Sequence, residues 1–180
     1  MSKNSVVAVT LALATAAAAA RPQAGGAHAH DVVSALGEGF AHPFTGLDHL
    51  LAMLAVGVWS VRQPNAKWLP PTFIGMVLVG VLTGVAGLTI PGLETGIALT
   101  VATMGVLIAM AARLPAAAGM TMVGAFAVLH GNAHGHELPA AASAIGLLLA
   151  SAVLIYSGRV LGRVSPALAL KVSGAAIAAT

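Results

Sequence analysis

The chain contains no cysteine, which excludes disulfides and thiolate metal sites alike. It is also short of charge. Only 7% of its 180 residues are Asp, Glu, Lys or Arg, against roughly a quarter in a soluble domain. So few charges cannot coat a water-facing surface, whereas lipid requires none. Acids are the scarcer sign, five against eight Lys and Arg, and the resulting pI near 10.0 invites a nucleic-acid reading. That reading fails, because the basic residues are scattered along apolar sequence and make no stripe. No Gly-x4-Gly-Lys-Ser/Thr loop is present, which excludes a P-loop ATPase.

What fills the chain instead is apolar sequence, 58% hydrophobic with a mean hydropathy of +0.95. Lys3, the small apolar run Val6–Ala20 and the small-x-small pattern Ala27-His28-Ala29 predict a secretory signal peptide over residues 1–29. Cleavage there leaves His30 as the first residue of a single transmembrane domain, 30–180, with its N-terminus outside the cytoplasmic membrane. Apolar segments then run from about 46 to 61, 68 to 88, 95 to 112, 116 to 133, 140 to 156 and 165 to 179. Each approaches the ~17–25 residues that cross hydrocarbon, and lipid offers backbone groups no partner outside a helix. The expected fold is an all-α membrane protein, a bundle of about six transmembrane helices after the signal peptide. Pro43 disfavours a straight helix through 41–44, so the approach to the first span is expected to be bent. Thr45 with Asp48 three residues on reads as a capping-box-like helix start.

The charges orient this bundle. Arg62, Lys67, Arg113, Arg159 and Arg163 fall in alternate breaks, and Asp31, Glu38, Asp48, Glu94 and Glu137 fall in the others. The positive-inside rule makes the basic side cytoplasmic, in agreement with a cleaved signal. The expected location is the bacterial inner membrane, with the mature N-terminus periplasmic. Lys171, inside the last segment, is the exception. Gly80 and Gly84 form a GxxxG pair that favours close packing within the bundle over a dimer face. Nothing in the sequence fixes an oligomeric state.

Two polar clusters interrupt the apolar pattern. One is His42-Pro43-Phe44-Thr45-Gly46-Leu47-Asp48-His49, a His-x5-Asp-His arrangement, and the other is His130-Gly131-Asn132-Ala133-His134-Gly135-His136-Glu137. Both fall toward the outer face. At about 100° per residue, His134 lies about 40° and Glu137 about 20° from His130, while His136 points about 120° away. His130, His134 and Glu137 therefore share a face if the helix continues through Gly135. Imidazole suits nickel, copper, zinc and cobalt, and a carboxylate either ligates or orients an imidazole. Ionisable groups at membrane depth are costly enough to point to function. The candidate metal residues are His42, Asp48, His49, His130, His134 and Glu137, with His30 and His136 as additional candidates. A proton pathway is a rival use of the same groups.

These two motifs, continuing into Leu50-Leu51-Ala52-Met53 after the first, resemble the HupE/UreJ family of hydrogenase- and urease-accessory membrane proteins. The resemblance extends over nearly the whole layout. It implies a nickel permease, not an enzyme, that also carries cobalt and supplies nickel enzymes, with His42, Asp48, His49, His130, His134 and Glu137 carrying function. Nickel is then cargo rather than a prosthetic group, with zinc a further compatible ion, and the partners are the lipid bilayer and a transition-metal ion. Two other classes use the same residues: a membrane metal-binding or sensing protein without flux, and a zinc metalloenzyme with an open coordination position.

Overall fold

The computed structural model describes residues 29–138 and 141–179. Among them are seven α-helices and no strand: α1 Ala29–Ala41, α2 Leu47–Ser60, α3 Leu69–Val85, α4 Leu93–Ala109, α5 Ala116–Glu137, α6 Ala141–Val164 and α7 Ala167–Ala178. The helices α2 to α7 match the six expected segments, and α1 precedes them. The expected signal peptide, apart from Ala29, lies outside the described residues. By length and composition, α6 is the one described helix long and apolar enough to cross a membrane, while α2, α3, α4 and α7 are apolar but shorter. Proline sets where several helices begin. Pro70 and Pro71 occupy the first turn of α3, and Pro115 and Pro166 stand at the N-caps of α5 and α7, where a missing N–H costs nothing.

Glycine decides which helices pair. A Cβ at Gly80 or Gly84 would strike the α5 backbone at Val128 or Asn132, and one at Gly131 or Gly135 would strike the α3 carbonyls of Val77 or Val81. The GxxxG of α3 is thus spent on α5, inside the bundle. Gly57 and Gly158 meet in the same way between α2 and α6, and Gly105 and Gly174 between α4 and α7. Close backbone approach of this kind gains dispersion contacts where lipid supplies no hydrophobic drive. Between these pairs lies a core that includes Met53, Phe73, Val77, Met104, Leu147 and Leu154, all fully buried. Large apolar side chains such as Leu82, Leu99, Met110, Ile145, Leu149 and Leu168 are exposed. The helices are apolar on their outer faces as well as their inner ones, the pattern of helices solvated by lipid.

Four expectations need correction. The Thr45 hydroxyl does not cap α2: it donates to the His42 carbonyl at 2.8 Å and closes a 3-10 turn over His42–Phe44, while Gly46 takes the N-cap position. The helix expected to stop near 133 continues to Glu137, held against α3 by Gly131 and Gly135. The break expected after Tyr156 is helical to Val164, because Gly158 and Gly162 keep that stretch packed on α2. Asp31 does not join the other acids at one end. A Cβ at Gly39 would meet Ser143 and one at Gly146 would meet Leu36, so α1 runs antiparallel to α6. Eight residues before Gly39, Asp31 is carried about 12 Å down the flank of α6.

Hydrogen bonds tie the basic end together. The Arg159 Nη1 group donates to Ser60 Oγ at 2.8 Å and to the Ala66 carbonyl at 2.7 Å. Gln63 donates to the Ala112 carbonyl at 3.0 Å and accepts from the Leu114 N–H at 3.1 Å, and Trp59 Nε1 donates to the same Ala112 carbonyl. These bonds join the end of α2 and its following loop to the loop after α4 on one side and to Arg159 of α6 on the other.

Candidate metal centre

The two histidine motifs meet at the opposite end. The 3-10 turn, with Pro43 buried, and the extended backbone of Gly46 turn the chain sharply from α1 into α2. That corner leaves His42 at the mouth and puts Asp48 and His49 in the first turn of α2. The continuation of α5 through Gly135 aligns His130, His134 and Glu137 on one face, as helical phase requires.

An outer group forms first. His42 Nε2 bonds Glu137 Oε2 at 2.8 Å, and His134 Nδ1 lies 3.6 Å from the same oxygen. One ligand atom from each of the three residues falls within 4.8 Å of the other two, close enough to hold a metal ion. Below it the imidazoles continue inward. The rings of His134 and His49 are 4.3 Å apart between centroids, and those of His49 and His130 are 4.9 Å apart at 89°. From Glu137 through His42, His134 and His49 to His130, exposure runs 54%, 32%, 1%, 13% and 0%, open at the carboxylate and closed at the last ring. The row is therefore a path from the surface into the bundle.

Its inner members have groups that hold them in place. Asp48 Oδ1 accepts from both the main-chain N–H and the Nδ1 of His49, at 2.9 and 3.0 Å. Thr100 Oγ1, on α4, lies 2.9 Å from His130 Nε2. Four buried imidazole nitrogens lack a hydrogen bond: His49 Nε2, His130 Nδ1 and both nitrogens of His134, whose Nδ1 has only the Glu137 oxygen at 3.6 Å. Buried polar atoms are nearly always bonded, so four orphans in one row of rings call for a ligand.

The family model described as HupE / UreJ protein matches residues 7–180. The chain belongs to the HupE/UreJ family. A curated relative, Protein HupE of Rhizobium leguminosarum bv. viciae, is 42% identical over 137 residues, covering 72% of this chain and 72% of that protein. No solved structure gives a significant match.

In this HupE/UreJ protein, five of the expected residues stand in the row itself and Asp48 stands behind His49. His136 stands apart: it is exposed, and its Nε2 donates to the Leu88 carbonyl at 3.1 Å. The side chain of His30 lies outside the described residues. Asn132, inside the second motif, serves the fold, donating to Thr83 Oγ1 at 3.1 Å and to the Leu88 carbonyl at 3.0 Å. Thr100 was not expected. Its only sequence signal is a hydroxyl, one of three threonines in an apolar segment, and in a helix such a group ordinarily just bonds back to its own turn.

Proposed function

We propose that the chain is a permease of the bacterial inner membrane that moves Ni²⁺, and Co²⁺ as a second ion, from periplasm to cytoplasm for the maturation of nickel enzymes. The observation that carries this reading is the row of imidazoles with unpartnered buried nitrogens, descending from Glu137 to His130. Family membership supports the permease class, and the apolar outer faces of the helices support the membrane setting. In this reading residues 1–29 are a signal peptide and 30–180 form one domain, with α2 to α7 as its six spans. The short helices then require a locally thinned bilayer or polar end caps. Glu137 and His42 capture the hydrated ion, and His134, His49 and His130 take it inward by exchanging water for nitrogen. The nitrogen donors suit nickel and cobalt, and the lack of thiolate leaves binding weak enough for release. Influx follows the membrane potential, which contributes about 2.3 kcal/mol per unit charge per 100 mV, roughly twice that for a divalent ion. The protein acts as a carrier rather than an enzyme and needs no prosthetic group.

A second reading, ion binding without flux in a sensing or accessory role, is favoured by the tied basic end. Reconstitution in liposomes separates the two. Saturable uptake of radiolabelled nickel, lost in both His49→Ala and His130→Ala, is the expected result. Binding without uptake in the folded, inserted protein would replace the permease with the second reading.

A further inference from the structure

Thr100 belongs to neither histidine motif and lies on α4, a helix that contributes no imidazole. Its hydroxyl makes two short contacts, to the Ile97 carbonyl at 2.7 Å and to His130 Nε2 at 2.9 Å. A hydroxyl has one proton. The Ile97 carbonyl can only accept, and two oxygens 2.7 Å apart need that proton between them. The Thr100 oxygen is then an acceptor toward His130, so Nε2 carries the hydrogen. The neutral ring is left with its lone pair on Nδ1, the buried atom that has no partner. His49 is set by the same logic with the opposite outcome. Asp48 Oδ1 accepts from Nδ1, so Nε2 holds the lone pair, and it too is buried and unpartnered. The two rings stand 4.9 Å apart at 89°.

We infer that Thr100 is a positioning residue that fixes His130 as its Nε2–H tautomer and thereby presents Nδ1 as the nitrogen that meets the ion. The functional half of this statement rests on the reading of the imidazoles as ion ligands, whereas the tautomer does not. A hydrogen bond to the nitrogen that does not ligate orients the ring and raises its basicity. Losing such a partner typically lowers metal affinity by about 10- to 100-fold. Thr100 differs from the usual carboxylate or carbonyl partner in being pinned as an acceptor by its own helix turn.

The test uses the full chain in detergent, with Thr100→Val, which keeps the shape and removes the hydroxyl, and Thr100→Ser, which restores it. Long-range proton–nitrogen NMR of the histidine rings reports the tautomer, and calorimetric titration with Ni²⁺ reports affinity. The unaltered protein should show His130 protonated at Nε2. Thr100→Val should yield a tautomer mixture at His130 alone and at least about tenfold weaker Ni²⁺ binding, and Thr100→Ser should recover both. A variant that merely loosened α4 would disturb the signals of the other rings as well, and serine would not rescue it. Protonation at Nδ1 in the unaltered protein, or an unchanged tautomer and affinity in Thr100→Val, would overturn the inference. Absence of nickel uptake in liposomes would remove the permease reading while leaving the tautomer result to decide the role of Thr100.

Discussion

Glu137 touches two histidines and is the most exposed residue of the row, which makes it the natural first contact for an ion arriving from water. Glu137→Gln keeps the shape and removes the charge. It should raise the nickel concentration for half-maximal uptake by about tenfold and leave the maximal rate nearly unchanged, because the buried rings beneath are intact. The concentration dependence of uptake in liposomes measures this, and a reduced maximal rate at unchanged half-saturation would place Glu137 later in the path. At this scale the second motif was legible, since helical phase alone puts His130, His134 and Glu137 together. The first motif was only partly so. Its corner depends on a 3-10 turn closed by Thr45, and a Thr followed three residues later by an acid reads equally well as a cap. Asp48 is occupied instead by the His49 ring and main-chain N–H. Thr100 was not legible, because its partner lies thirty residues away on another helix.

Helix pairing turns on residues with no side chain. Gly131→Ala should destabilise the protein by about 1–3 kcal/mol, since the new methyl meets the Val77 carbonyl, which cannot turn aside as a side chain would. Gly75→Ala, at an exposed position with open space around it, should be neutral or slightly stabilising. Thermal unfolding of both variants in detergent provides the comparison. Equal effects would mean that the contact between α3 and α5 is looser than described. The sequence displays Gly80 and Gly84 plainly, but their counterparts Gly131 and Gly135 are hidden among histidines. Each of these glycines follows a histidine by one residue, about 100° around the helix. One four-residue repeat thus serves two faces of α5: ring nitrogens toward α2 and bare backbone toward α3.

Across the described residues most charges sort to opposite ends, Asp31 and Lys171 excepted, with Asp48 and Glu137 among the imidazoles and Arg159 beside the loop after α2. The lack of native cysteine makes this easy to test, because a single introduced cysteine is the only thiol present. With the basic end cytoplasmic, Glu94→Cys should react with a membrane-impermeant maleimide in intact cells. Arg113→Cys should react only after the membrane is opened. The reverse pattern would invert the orientation. The expected direction rests on positive-inside asymmetry, which needs only a list of loops. The path of α1 was not, since its descent along α6 is set by the contacts of Gly39 and Gly146, and no loop charge records them.

The glycine contacts divide the bundle into closely joined sets: α2 with α6 and α1, α3 with α5, and α4 with α7. Contacts between the sets are fewer, and the imidazole row lies where all three meet. His49 arrives on one set, His130 and His134 on the second, and Thr100 on the third. An ion that takes nitrogen from His49 and His130 together acts as a rivet through the seam between two plates. In the proposed permease, loaded and empty forms then differ in stiffness as well as in composition, and the cargo is a temporary part of the framework that carries it.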